Sequence, residues 1–413
     1  MSDRFAALSS SRRYRRYFAG QTVAQAGTWM QVVAQSWLVL QLSDSGTAVG
    51  LLLSFQFLPV LLFAPLAGVF VDRIDKRRLL LLTQLLFVAQ AAGLGVLVVT
   101  DVAELWMVYA AATVFGLVTA IDFPARQTFL FDLLDEAHVP NAVSLNTINM
   151  NVFRVIGPAV AAVVIAFVGV GACFLLNAAC CLLLAGVLVS LRTNERATAR
   201  PQPRERGQLR EGFRYVWRTP ELRVPLVMLF VIGSLAYEFQ VSLPMLAKFT
   251  FESGASTYAV MTAAMGVGSI LGGLAVAGRD QHGTGAMVRQ AMLFGALILG
   301  IALSPTLPVA IAAIVAMGSA SVVMISRSMT TMQLGALPEF RGRVMALVTV
   351  AFFGTTPIGG PIIGWIGEVF GARWSLATSA AACFVAAAYG WLHRAEVTAR
   401  PLDDVTTPSP API

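Results

Sequence analysis

Two ionisable residues stand in stretches that are otherwise apolar, and both side chains could do chemistry. Glu238 lies 15 residues after Arg223 and ten before Lys248, with Tyr237 and Gln240 beside it. A carboxylate withdrawn from water favours its protonated form, so an acid here could take up and release a proton in each cycle. The alternative is an acid in a wet vestibule that only repels anions. Arg154 follows Asn141 by 13 residues, with Asn149 and Asn151 nearby. That spacing puts it roughly 20 Å along a helix rising ~1.5 Å per residue, near the middle of a ~30 Å hydrocarbon core. Either Arg154 binds an anion in a cavity, or it is structural, bonded to helix carbonyls or packed against Asp122. Asp122 itself, one turn from Arg126, is the second candidate for proton exchange. Charges at bilayer depth are costly, so each is a functional hypothesis until a partner is found.

Uncharged polar residues add a stripe. At 100° per residue, Gln21, Gln25, Thr28, Val32 and Gln35 fall within roughly 40° of one line, and Trp29 flanks it. A lipid-facing helix would not gather three glutamines on one side. Cavity lining is the first reading, and helix–helix hydrogen bonding is the alternative. Tyr109, Thr113 and Gly116 make a shorter stripe. Other chemistries find no support. The glycines of 266–273 follow no strand, and no Gly-Lys-Ser or Gly-Lys-Thr exists to hold a nucleotide. His138, His282 and His393 are scattered at loops or helix ends. Cys173, Cys180, Cys181 and Cys383 lie in apolar runs without metal-ligand spacing. No cofactor, no metal and no enzymatic activity are expected, and a membrane-embedded enzyme is only a distant alternative.

The elements that must position these residues follow from composition. The chain of 413 residues is 57% hydrophobic and 12% charged, about half the charge of a soluble domain, so lipid is its main solvent. Twelve apolar segments are expected between 18 and 393, the fourth at 104–123, the seventh at 223–246 and the eleventh at 344–368. Each is long enough for a helix to cross a bilayer. The fold class is an all-α membrane protein, twelve transmembrane helices in two pseudo-symmetric six-helix bundles. Residues 1–17 form an N-terminal tail, 18–191 the first bundle, 192–222 a linker, 223–393 the second bundle, and 394–413 a disordered tail. The linker begins Pro- and Arg-rich, then places Leu209, Phe213 and Val216/Trp217 on one face of an amphipathic helix suited to the membrane surface. With both termini cytoplasmic, 26 of the 29 Lys and Arg residues lie inside. The net charge of +7 therefore reports topology, and nucleic acid is not an expected partner. The halves repeat: Arg154-Val155-Ile156-Gly157-Pro158 returns 203 residues later as Pro357-Ile358-Gly359-Gly360-Pro361. A duplicated six-helix unit is the parallel repeat of one large transporter class.

The loop from Gly68 to Arg78 makes that specific. Asp72 closes a helix, where a negative charge is disfavoured by the local dipole, so it is better placed facing an arginine or another helix's N-terminus. Gly68, Asp72, Arg73, Arg77 and Arg78 match the signature Gly-x-x-x-Asp-Arg-x-Gly-Arg-Arg between helices two and three of the major facilitator superfamily. The chain resembles that superfamily over nearly its whole length. Asp75 departs from the signature, replacing its second glycine and making the turn less permissive. Gly157-Pro158 is similar to the superfamily's helix-five antiporter element, although Ala159, Ala161 and Ala162 stand where further glycines would. Asp122-Phe123-Pro124-Ala125-Arg126-Gln127, with Asn141-Ala142 and the Arg154 stretch, resembles the enterobactin exporter and macrolide-efflux branch. The stretch Ala110 to Thr113 carries no arginine where many drug antiporters have one.

The resemblance implies alternating access in a cell inner membrane: a multi-pass monomer, surrounded by lipids, exporting a small amphiphilic drug, secondary metabolite or siderophore by proton antiport. Glu238 and Asp122 are the expected proton sites. Substrate is expected at Gln25, Thr28, Trp29, Gln35, Tyr109, Thr113, Arg154, Tyr237 and Gln240. Gating is expected at Gly68, Asp72, Arg73, Arg77, Arg78, Gly157 and Pro158, with Asp72 meeting the start of helix eleven near Arg343-Val344. An uptake symporter or facilitator is the alternative.

Overall fold

Why the polar residues meet at all is a matter of how the helices break and cross. The computed structural model describes residues 6–71, 74–191, 208–276 and 283–394. The chain opens with α1 (Ala6–Ser10) and α2 (Arg12–Ser43), then α3 (Gly46–Val71), α4 (Lys76–Val99), α5 (Leu105–Leu133), α6 (Val139–Phe167) and α7 (Val170–Ser190). A short α8 (Gln208–Arg218) precedes α9 (Pro220–Leu235), α10 (Phe239–Met245), which winds on as a π-helical turn to Thr250, and α11 (Ala255–Val276). The chain finishes through α12 (Thr284–Ala302), α13 (Leu307–Gly335), α14 (Arg341–Phe353), α15 (Thr356–Phe370) and α16 (Ala372–Leu392). Among the described residues, 11 spans are long and apolar enough to cross a membrane, with 220–250 and 341–370 each one span. At 32 residues α2 has the length as well, but its glutamines and leading arginines dilute its apolar character. Large apolar side chains such as Leu62, Trp106, Phe167, Leu274 and Val385 stand exposed around the outside, as a lipid-solvated surface requires.

Helices α2 to α7 pack mainly on one another, and α9 to α16 do the same. Two pairs carry most of the contact between these halves, α3 against α15 and α6 against α11. Without a hydrophobic driving force in lipid, such crossings depend on close backbone approach. Gly50 and Gly360 provide it: a Cβ on Gly50 would collide with the Gly360 backbone. Gly157 serves α6 likewise inside the first half, since a Cβ there would strike Trp29 of α2.

Several expectations are corrected in detail. The seventh and eleventh segments are not continuous helices. One is interrupted between Leu235 and Phe239, just after the Gly233-Ser234 pair, and the other at Gly354-Thr355, where Pro357 has no N–H to continue the ladder. The fourth segment does not end before Pro124; α5 continues to Leu133 with that proline inside. Helix α2 begins at Arg12, not beyond residue 17, because Ser11 caps it by accepting from the Tyr14 N–H at 3.2 Å. Asp75 needs no glycine-like backbone. At φ −56° it caps α4, its carboxylate accepting from the Arg78 N–H at 2.7 Å. Asp72 and Arg73, the first part of the linker and the C-terminal tail lie outside the described residues.

The halves meet unevenly along their length. One end carries the turns near 44, 252 and 371, and there they are tied together. Glu368 accepts from Ser45 Oγ at 2.5 Å and from the Thr47 N–H at 3.0 Å, capping the start of α3 from the other half. Lys248 donates to the Leu40 carbonyl at 2.8 Å and pairs with Asp44, at the end of α2. At the opposite end, which carries the linker, α14 packs on α8, α9 and α13 of its own side. Here α8 docks on the second half. Tyr215 stacks on Phe340 with ring centroids 4.4 Å apart, and Glu211 pairs with Arg343 at 2.8 Å.

Candidate transport site

The break in the seventh segment exposes its polar residues to the centre. Glu238 sits in the N-cap position of α10, and with its neighbours Tyr237 and Gln240 it lines a cavity of ≈ 160 Å³ between the halves. Trp29 of α2 and Arg154 of α6 line it from the other side. The remaining wall is mostly apolar and aromatic, including Phe57, Phe239, Tyr258, Met265 and Phe352. Val32 of the α2 stripe is also part of it.

The two charges are held differently. The Arg154 guanidinium lies over the Trp29 ring, 5.3 Å from its centroid, and makes no ion pair among the described residues. Stacking on an aromatic face suits a guanidinium while leaving its in-plane N–H donors free for an anion. The reading in which Arg154 packs against Asp122 is thereby excluded. Glu238 is 2% exposed, so in this conformation it does not face a wet vestibule. Neither of its carboxylate oxygens has a hydrogen-bond partner of good geometry, and the neutral Thr356 side chain beside them supplies no counter-charge. They face the backbone of α15, where Cβ atoms on Gly359 and Gly360 would come within 3.3 and 3.6 Å of them. The Trp29 Nε1–H is likewise buried without an acceptor. Tyr237 is committed: its hydroxyl donates to the Ser321 carbonyl at 2.8 Å.

The other expected residues divide. Gln25 and Thr28 line a second cavity of ≈ 200 Å³ within the first half, together with Asp122, Arg126 and Asn146. Asp122 is fully engaged there. It accepts from Thr83 Oγ1 at 2.7 Å and Gln84 Nε2 at 3.0 Å, and pairs with Arg126. Gln35 and Tyr109 do not reach the central cavity but bond across helices, to the Val108 carbonyl at 3.4 Å and the Ala48 carbonyl at 3.1 Å. Thr113 bonds within α5, to the Tyr109 carbonyl. In the gating loop, Arg77 donates through Nε to the Leu188 carbonyl at 2.7 Å and through its terminal nitrogen to the Val189 carbonyl at 2.6 Å. It thus satisfies orphan carbonyls where α7 ends. Arg78 is exposed, Gly68 lies within α3, and Pro158 is buried within α6.

Sequence reasoning missed a buried amide relay. Asn177 donates to Gln31 at 2.6 Å, and Gln31 donates to Gln90 at 3.0 Å, joining α7, α2 and α4. Isolated amides in three separate apolar runs were its only signal. It also missed Glu368, whose signal was an acid near the end of the eleventh segment and the Ser45-Gly46-Thr47 helix start.

Similarity to known proteins agrees with this architecture. The family model described as transmembrane secretion effector matches residues 3–409. The chain is 26% identical over 364 residues to the multidrug efflux pump Tap of Mycolicibacterium fortuitum, covering 86% of this chain and 88% of that one. It is 26% identical over 257 residues to the staphyloferrin A transporter of Staphylococcus aureus, covering 62% of this chain and 64% of that one. It is also 29% identical over 223 residues to an uncharacterised major facilitator transporter, YfiS, of Bacillus subtilis, covering 52% of each chain. The chain therefore spans between half and two thirds of these last two relatives. Among solved structures, a bacterial homologue of the human lysosomal transporter Spinster, inward-facing and unoccupied, superposes with a TM-score of 0.73 at 14% identity, covering 92% of this chain and 97% of that one. A peptide-transporter-family protein in complex with 5-aminolevulinic acid does so at 0.75 with 10% identity, covering 94% and 97%. With its broken helices and a cavity between its two halves, the chain belongs to the transmembrane secretion effector family of the major facilitator superfamily.

Proposed function

We propose that this protein exports a small amphiphilic compound, of drug, secondary-metabolite or siderophore type, in exchange for protons. The observation that carries the reading is the central cavity, where an apolar and aromatic wall surrounds one unpaired cation and one unpartnered buried acid. The wall supports an amphiphilic cargo, and Glu238 supports proton coupling because a buried carboxylate without partners is stable only when protonated or when offered a cation. The multidrug efflux pump among the relatives supports outward transport of such molecules, and the staphyloferrin A transporter supports a cargo of small-metabolite type. Trp29, Arg154, Tyr237 and Gln240 are the proposed substrate contacts, with Gln25 and Thr28 along the path through the first half. The linker end is proposed to be cytoplasmic in an inner membrane, which makes the tied end the external gate and this conformation inward-facing. Accumulation of a fluorescent amphiphile in cells with and without the protein tests the reading. Expression should lower accumulation, and collapsing the proton gradient should restore it. Raised accumulation on expression would favour the uptake alternative.

A further inference from the structure

The two charges in the central cavity come from opposite halves and do not meet each other. Arg154 and the Trp29 Nε1–H form a donor pair on the first half. Glu238, with both oxygens unpartnered and 2% of its surface exposed, forms an acceptor on the second half. Leaving a buried donor or acceptor unmade is costly, and each such group here lines the same cavity. Had the cavity evolved only to pass apolar molecules, uncharged packing would serve it better. Had Arg154 and Glu238 served only each other, they would pair.

Resting on the export reading above, we propose that the cargo is dipolar: an amphiphile whose anionic group meets Arg154 and Trp29 while its cationic or N–H-donating group meets Glu238. Such a molecule satisfies one half with each end, so it spans the interface that must rearrange during transport. A cargo with only the anionic group engages the first half alone, and one with only the cationic group engages the second half alone. The occupant therefore acts as a strut between the halves, and the apolar wall is left to accept whatever body joins the two ends. A ligand biases the equilibrium only by its difference in affinity for the two conformations, and one that bridges both halves gains or loses contacts whenever they move apart.

The test uses the full chain in lipid nanodiscs and a series of para-(ω-aminoalkyl)benzoates of graded arm length, with their methyl esters and their N-acetyl derivatives. Affinity is read by microscale thermophoresis. At the best arm length, the dipolar compound should bind at least about tenfold more tightly than its ester or its N-acetyl derivative. Arg154→Gln should remove the advantage over the ester, and Glu238→Gln should remove the advantage over the N-acetyl derivative. Comparing compounds on the unaltered protein keeps the test valid even if a variant folds poorly. Equal affinity of a capped derivative, or no binding by any dipolar member, overturns the proposal. If the same cells still expel the fluorescent amphiphile, the export reading survives that outcome.

Discussion

Two acids in apolar surroundings meet opposite fates in this protein. Asp122 accepts from Thr83 and Gln84 and pairs with Arg126, whereas Glu238 has no partner for either oxygen. The first arrangement holds a charge in place; the second leaves a site for a proton or a cation. Glu238→Gln keeps the shape of the side chain and removes its exchangeable proton. Gradient-driven efflux should then fall to the rate seen with a protonophore, while counterflow exchange of substrates without a cationic group persists and no longer varies with pH. Asp122→Asn should act on stability instead, because it leaves Arg126 without its counter-charge in a low-dielectric site. Its cost should be about 3 kcal/mol, read as a lowered melting temperature of purified protein, with the pH profile of exchange unchanged. If that profile shifts, the proton site is Asp122. Arg154 and Glu238 were legible in the sequence because a charge inside an apolar run has few possible explanations. Gln35 and Tyr109 were not separable from cavity residues. Periodicity assigns a face to a helix, but which neighbour covers that face depends on crossing angles that local sequence does not encode.

At the scale of elements, α3 and α15 work as a pair. Their glycines let the backbones touch, and Glu368 of α15 caps the start of α3. The signature acid at the other end of this hairpin, Asp72, is expected to do the converse, meeting the start of α14 when that end closes. Each of the two spans would then carry, near its C-terminal end, an acid that caps the N-terminus of the other. Under alternating access the two contacts are expected to form in turn. Removing the formed one should release the tied end. Glu368→Gln and Ser45→Ala should each raise labelling of a cysteine placed at Asp44, and the double variant should do little more than either. The expected coupling is about 1 kcal/mol, the value of a helix cap. Gly50→Ala is the steric counterpart. A methyl group there meets the Gly360 backbone, so the closed end cannot form, and transport should be lost while each half stays folded and membrane-inserted. Near-unimpaired transport in Gly50→Ala would mean that the close crossing is dispensable. The pairing itself was half legible. The repeated Gly-Pro motifs marked close approaches, but the helix breaks that bring Glu238 and Thr356 to one cavity were hidden within apolar runs of unbroken hydrophobicity.

For the whole molecule, the helical membrane fold and the order of its spans were readable because lipid imposes a length and an apolar composition on each one; twelve were expected, and 11 meet those criteria among the described residues, the polar α2 falling short on composition. Span ends were less readable. Helix α5 continues past Pro124 to Leu133 as a mixed extension whose Phe129, Leu130 and Leu133 are buried against neighbouring helices, and composition alone places the boundary where the unbroken apolar run stops. Orientation rests on charge. Counted along the sequence, the linker, the terminal stretches and the segment ends expected on their side hold 26 of the 29 basic residues, and from that bias we propose a cytoplasmic linker end. The tied end holds Lys248 and Arg373, and both are engaged there. Lys248 pairs with Asp44, and Arg373 donates to the Ser304 carbonyl at 2.9 Å. Two basic residues at this end, one of them paired with an acid, are too few to oppose the bias of the other 26. Alkaline phosphatase fused after Ser43 or after Lys248 should therefore be active, and fusions after Arg78 or Arg206 inactive, with green fluorescent protein giving the reverse. A single reversed pair would break this scheme, and reversal of both would make the tied end the cytoplasmic gate and the proposed inward-facing conformation an outward-facing one.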